Sequence, residues 1–244
     1  MKTPPNRHTR EKRFDGQWSR QIIADLGEPG LREFLRVYYG MVKMIDDQVG
    51  RVLQALDDRG LTDKTVIVFT ADHGDMAGAH GMVWKSTNAF YDEVARVPLL
   101  IRYPRRFKPQ QSDMAVDLTD LMPTLLDLTA QPVPEQAQGQ NLVPFLSGQR
   151  DPSEARPFSF SERVGRNPKG LRRLAPGAGG SFMIRGQGWK YVRYPKEEEY
   201  LYHLAEDPGE TRNLAADPTR RRRRNELAAE MDAWLHRTGW PARG

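Results

Sequence analysis

Leu31, Phe34, Leu35, Tyr38, Val42, Ile45, Val49, Val52, Leu53 and Leu56 recur at intervals of three and four, the spacing of one helix face. The pattern predicts a long amphipathic helix that stops at Gly60. Ahead of it, residues 1–29 read as irregular, broken by Pro4, Pro5, Gly27 and Pro29. The pattern then changes. Thr65–Thr70 is a continuous apolar run of strand length, the form strands take when a parallel sheet buries both their faces. Val97–Arg102 is a second short strand, with a glycine-rich loop and a short helix near Thr87–Ala95 between the two. Asp117–Leu128 reads as the next helix, with Thr119 or Asp120 as its cap and Pro123 in its first turn. Helix and strand alternate, which predicts an α/β sheet flanked by helices.

Residues 131–156 are rich in Pro, Gly and Gln and read as loops or a linker. Beyond them the period shortens. Pro157–Glu162, Ser181–Arg185, Trp189–Tyr194 and Glu199–Leu204 are short strands, with Gly186-Gln187-Gly188 as a hairpin connection and Asp207–Glu210 as a turn. Trp189, Tyr191 and Tyr194 read as sheet packing. A last helix runs from about Thr219 to His236, with Leu227, Met231, Trp234 and Leu235 on one face. The expected organisation is an α/β unit over residues 1–150 and a small α+β unit, an antiparallel sheet plus a C-terminal helix, over 151–244.

Composition adds limits. The chain has 244 residues, 38% hydrophobic and 28% charged, enough to bury a core and typical of a globular protein. No apolar run reaches membrane-spanning length, and no membrane partner is expected. The first sixteen residues are polar and basic, so no secretory signal is read in them, and the compartment stays open. Cysteine is absent, which excludes disulfides, Cys-ligated metals and a Cys nucleophile. The net charge of +5 favours anionic ligands only mildly. Arg220–Arg224 and Arg172-Arg173 are the features a basic module for phosphate backbones or anionic glycans would use. The run of five opens a helix, where the dipole disfavours cations, so a solvated face is the better reading and nucleic acid is not an expected partner.

The chemistry concentrates in VIVFTADHGDMAGAHGMVWK, Val66–Lys85. Ligands of open α/β sheets sit beyond the carboxyl ends of strands, where Asp72 and His73 fall. Gly74 there allows a sharp turn and a close approach to whatever is bound. A carboxylate suits Ca²⁺, Mg²⁺ or Mn²⁺, and an imidazole leans toward Mn²⁺ or Zn²⁺. Two donors alone do not hold a metal. The plain alternative is a polar loop in which Asp72 caps a helix and His73 is solvated.

Asp72-His73-Gly74, Gly78, His80-Gly81, Lys85, Tyr91 and Arg96-Val97-Pro98 together resemble the metal-and-lysine segment of the sulfatase family, in the alkaline phosphatase-like superfamily. Tyr38-Tyr39, Asp46 and Gly50 upstream resemble a family helix. Asp120–Thr124 resembles its D-x-x-P-T helix, Gly139–Leu146 a loop, and Tyr200–Pro218 its LYDLxxDPxExxNLA tail. The resemblance runs from about residue 30 to 218, most closely to arylsulfatase- and choline-sulfatase-like enzymes. It implies a metal-dependent sulfuric ester hydrolase fold, with Ca²⁺ as the expected ion, Mn²⁺ or Zn²⁺ as alternatives, and a small sulfate ester or a glycan as substrate. It places Asp72 and His73 as metal ligands and Lys85 on the sulfate. His80 takes either a supporting or leaving-group role or that of an ordinary loop histidine. Trp84 either lines the pocket or packs beneath the loop. The loop between Arg163 and Ser181 lies toward the cleft.

One part of the family pattern is missing. The formylglycine nucleophile arises from a C/S-x-P-x-R motif, which these 244 residues lack. Thr3–Arg7 has only its outline. The chain therefore resembles the C-terminal half of a sulfatase: a truncated reading frame, a piece of a split gene or a degenerate remnant, with an N-terminal half as its complement. Little or no sulfatase activity is expected of it alone, and a halved sheet leaves strand edges and apolar faces uncovered. Within the same superfamily, phosphodiester or phosphonate monoester hydrolysis is the competing activity.

Overall fold

The structure is a computed structural model that describes residues 15–85, 90–163, 180–194 and 199–239, with side chains from residue 21 onward. Thr3–Arg7, Arg172-Arg173 and most of the 163–181 loop lie outside these residues.

Helix α1 spans Asp15–Asp58 and is broken once, where Gly27 takes φ 60° and ψ −173°. The segment before residue 30 is thus helical from Asp15, not irregular. Pro29 lies in the first turn after the break, where its missing N–H costs no hydrogen bond, so helix continues on both sides. Gly60 ends the helix region with φ 60°. No residue from Gln21 to Asp58 is buried.

Strands β1 (Ile67–Thr70) and β2 (Leu99–Arg102) form a two-stranded antiparallel sheet in which Phe69 faces Leu100. This corrects the parallel reading. An apolar run reports burial potential and carries no sign of strand direction. No residue of either strand is buried, and Phe69 and Leu100 are 41% and 59% exposed. They share one face, since directly opposed residues do.

Helix α2 is a single turn, Asp92–Ala95. A 3₁₀ turn at Leu118–Asp120 leads into α3, Leu121–Leu128. Asp117 caps the 3₁₀ turn: its carboxylate accepts from Thr119 N, and its own N–H donates to Asp120 Oδ2, while Asp120 stands at the N-cap position of α3 without a side-chain cap bond. Asp120 is thereby free to turn inward. It is fully buried, accepts from Gln140 N at 2.8 Å and pairs with Arg156 at 2.6 Å. Burial pushes its carboxyl up, against the pull of Arg156. Residues 131–156 are mostly loop, as read, but hold a packed stretch from Gly139 to Leu146. Gly139 lies so close to α3 that a Cβ there would sit 2.1 Å from Thr119 O, and helix α4 (Val143–Leu146) buries Val143 and Phe145.

Strands β3 (Ser159–Arg163), β4 (Ser181–Gly186), β5 (Trp189–Arg193) and β6 (Tyr200–His203) form an antiparallel sheet in chain order. Gln187 and Gly188 turn the β4–β5 hairpin with φ 52° and 75°, as a two-residue turn of the primed type requires. The sheet is covered on both faces. Phe182, Ile184, Tyr191 and Leu201 face helix α5 (Arg221–Arg237) through its Leu227, Met231 and Leu235. Met183, Val192, Tyr200 and Tyr202 face Met76, Met82, Phe90 and Tyr91 of the loop that follows β1.

Arginines at the start of α5 are largely occupied within the chain. Arg222 pairs with Glu226 at 2.9 Å, Arg223 donates to Gln187, and Arg224 donates to Ala215 O. Arg220 and Arg223 lie over the Trp189 ring at 5.6 and 5.9 Å. No helix among the described residues is long and apolar enough to cross a membrane.

Candidate active site

Asp72 and His73 leave the end of β1, and Lys85 returns to them twelve residues later. Lys85 Nζ lies 3.3 Å from His73 Nε2. Asp72 Oδ2 lies 3.6 Å from the same nitrogen, while Asp72 Oδ1 accepts from His73 N at 2.9 Å. The three side chains meet at one imidazole nitrogen. His73 Nδ1 sits 2.8 Å from Gly74 O. A carbonyl only accepts, so Nδ1 donates to it, and Nε2 is the ring nitrogen that faces Lys85 and Asp72. The Asp72 side chain is 88% exposed and that of His73 39%, so the constellation opens outward.

The loop is built for this return. Ala77, Gly78, His80, Gly81 and Trp84 all have positive φ, a winding that non-glycine residues adopt only under tertiary constraint. The constraint comes from Met76 and Met82, 1% and 0% exposed in the core, and from bonds of Met76 N to Trp84 O and Gly78 N to Met82 O. Gly74 serves a close approach, but to protein: a Cβ there would lie 2.0 Å from Glu93 O. Its N–H donates to Val94 O at 2.9 Å. Helix α2 thus braces the residue after His73.

The His80 side chain is 5% exposed, stacked on Tyr91 at 3.7 Å between centroids, with Nε2 4.0 Å from Glu93. Burial holds its imidazole below the ordinary range. Trp84 is 65% exposed, on the surface rather than beneath the loop.

Behind α2 lies a cluster with no warning in the sequence pattern. Lys190, fully buried, contacts Asp92 Oδ1 at 2.5 Å and Glu210 Oε1 at 2.7 Å, and donates to Phe90 O at 2.8 Å. Arg185 grips Asp92 with Nε and Nη2 at 3.1 and 2.8 Å. Burial would raise the Asp92 carboxyl, but Arg185 and Lys190 hold it below its ordinary range. Burial pushes Glu210 up to about 7 despite Lys190. A lysine on a strand and a Glu in an Asp-Pro-Gly-Glu turn read as solvated; only the tertiary fold shows otherwise.

The sulfatase family model matches residues 2–131, and a model described as N-sulphoglucosamine sulphohydrolase, C-terminal, matches residues 78–237. The chain belongs to the sulfatase family. A delta 4,5-hexuronate-2-O-sulfatase of Bacteroides thetaiotaomicron is 33% identical over 219 residues, 88% of this chain and 44% of that protein. Among solved structures, a 2-O GAG sulfatase superposes with TM-score 0.77 and 31% identity, over 91% of this chain and 47% of that one. A phosphonate monoester hydrolase of Agrobacterium radiobacter does so with TM-score 0.77 and 32% identity, over 88% and 43%. This sulfatase-family chain spans less than half the length of these relatives. Its mixed α/β architecture, with antiparallel sheets and a C-terminal helix, is that of the C-terminal part of these alkaline phosphatase-like structures.

Sulfatases of this superfamily generally use a divalent metal. The donors here suit one: a carboxylate for a hard ion and an unprotonated imidazole nitrogen for a borderline one. Among the described residues no group of three His, Cys, Asp or Glu that could hold a metal ion forms; Asp72 and His73 offer two donors.

Proposed function

We propose that this chain carries the oxyanion-binding side and part of the metal site of a sulfuric ester hydrolase, completed by an N-terminal portion of the catalytic domain. The observation behind the reading is the meeting of Asp72 and Lys85 at His73 Nε2. Asp72 and His73 would hold the ion, Ca²⁺ first, which when bound supplies a Lewis acid for the sulfuryl oxygens. The Lys85 ammonium donates to a sulfate oxygen and balances the charge that builds there as the ester bond breaks. The Gly74 carbonyl keeps the His73 proton on Nδ1. In this reading His80 supports the loop from behind, through its stack on Tyr91. Names among the relatives point to a sulfated glycan as substrate. The division at residue 150, into a portion of the catalytic domain and a C-terminal subdomain, belongs to the same reading.

Exposed apolar residues support the need for a complement. Tyr39, Met44, Ile45 and Val52 of α1 are 53–66% exposed, and Phe69 and Leu100 of the β1–β2 pair are exposed as well. Such a surface is what a sheet and helix show when their covering layer is supplied elsewhere.

Purified 1–244 with Ca²⁺ and an aryl sulfate should give no turnover above blank. Addition of a family N-terminal portion that bears C/S-x-P-x-R and has been converted to formylglycine should restore turnover, and Lys85→Met should abolish it. Metal-dependent turnover by 1–244 alone would overturn the division of labour. The likeness to a phosphonate monoester hydrolase carries a second reading, which a higher kcat/KM for an aryl phosphonate monoester than for the sulfate would favour.

A further inference from the structure

Lys190 lies on β5, in a different sheet from the Asp72–His73 strand, yet everything it touches leads toward that site. Its ammonium has three N–H bonds and three oxygen partners: Phe90 O, Asp92 Oδ1 and Glu210 Oε1. Glu210 also accepts from Asp92 N at 2.6 Å through its second oxygen. Residues 90–92 are thus held by backbone and side chain together. The same short segment reaches the site twice. Val94 O and Glu93 O abut Gly74, next to His73, and Tyr91 stacks on His80.

We infer that Lys190 is the positioning residue for the site, fixing His73 through α2. The inference rests on the reading of Asp72, His73 and Lys85 given above. A buried lysine is a poor way to gain stability, since an apolar pair of similar volume packs as well without desolvating two charges. What the ammonium provides and a methionine does not is direction: a hydrogen bond to Phe90 O and an ion pair with Asp92 set the height and rotation of residues 90–92 against the sheet, with Glu210 paired alongside. Glu93 O and Val94 O then fix where the Gly74 peptide lies. The Gly74 carbonyl selects the His73 proton position and so leaves Nε2 facing Lys85. Arg185 holds Asp92 from the other side, so charge in the cluster is balanced and the segment has one seat.

The test uses intact 1–244 labelled with ¹⁵N at histidine, at about pH 8 where imidazole is neutral, with His73→Gln to assign the His73 signals. Wild type should show a single His73 tautomer with the proton on Nδ1. Lys190→Met should lose that selection and show the mixture of a free imidazole. Lys190→Met/Glu210→Met guards against simple unfolding: the apolar pair restores the melting temperature but not the tautomer. A folded double variant that keeps the wild-type His73 pattern overturns the inference, because the cluster then acts on stability alone. Mn²⁺ titration of the wild type, read as paramagnetic loss of the His73 signals, tests the underlying reading separately. Unaffected His73 signals sink the metal assignment while leaving the tautomer result to stand or fall by itself.

Discussion

The four-stranded sheet and the α1/β1–β2 region differ in one respect that governs the rest: the first is closed and the second open. Strands β4 to β6 send alternate side chains into two cores, one under α5 and one under residues 76–82 and 90–91. Helix α1 from Gln21 onward and strands β1 and β2 have comparable apolar stretches and, among these described residues, no buried one. Asp72 and His73 emerge from the open side, but their loop is anchored in the closed one through Met76, Met82 and Tyr91. Order at the site therefore comes from the C-terminal sheet, while the strand that leads into it lacks cover on its outer face.

Several measurements would break or sharpen this contrast. The largest effect is expected in the closed region: Leu201→Ala, at a position 0% exposed, should cost about 3 kcal/mol in urea unfolding. Val52→Ala, at 62% exposed, should change stability by less than about 0.5 kcal/mol. Equal costs would erase the distinction.

A smaller effect concerns pH. Glu210 is raised from 4.5 to about 7 in the fold. Between those values the folded state keeps a proton that the unfolded state has released, so stability falls as pH rises, by roughly 3 kcal/mol at most from this group. His80, held below 6.5 by burial, acts in the opposite sense: its contribution is lost as pH falls through its folded value. Asp92, below 3.8, matters only at more acid pH. The difference between wild-type and Glu210→Gln stability curves over pH 4.5–7 isolates the Glu210 slope; parallel curves would place that carboxylate in water. The smallest change in stability should come from Phe69→Thr/Leu100→Thr, near zero by denaturation. It should still reduce self-association in light scattering, because it removes an exposed cross-strand apolar pair.

Much of this architecture was legible in the chain. The positions of β1 and β2, the order of β3 to β6, the Gly186–Gly188 hairpin and the apolar stripe of α5 follow from periodicity and turn chemistry. Strand direction in β1–β2 did not, because pairing is non-local. Helix before residue 30 was obscured by Gly27 and Pro29, which interrupt a helix at one point without preventing it on either side. The packed stretch from Gly139 to Leu146 was hidden because Gly139 is needed for contact with α3, not for freedom. At the site, the family resemblance pointed to Asp72, His73 and Lys85, which the fold brings together, whereas the meeting of Lys190, Asp92 and Glu210, far apart in sequence, shows only in the tertiary fold.

Gly74 has no space for even a methyl group against Glu93 O. Residues 72–85 and 90–95 thus behave as a single casting with strands β4 to β6 as its mould. Transplanting the Asp-His-Gly loop into another scaffold without that mould would carry over the letters and leave the geometry behind. Redesign of the pocket is better begun at Trp84, whose side chain already faces solvent.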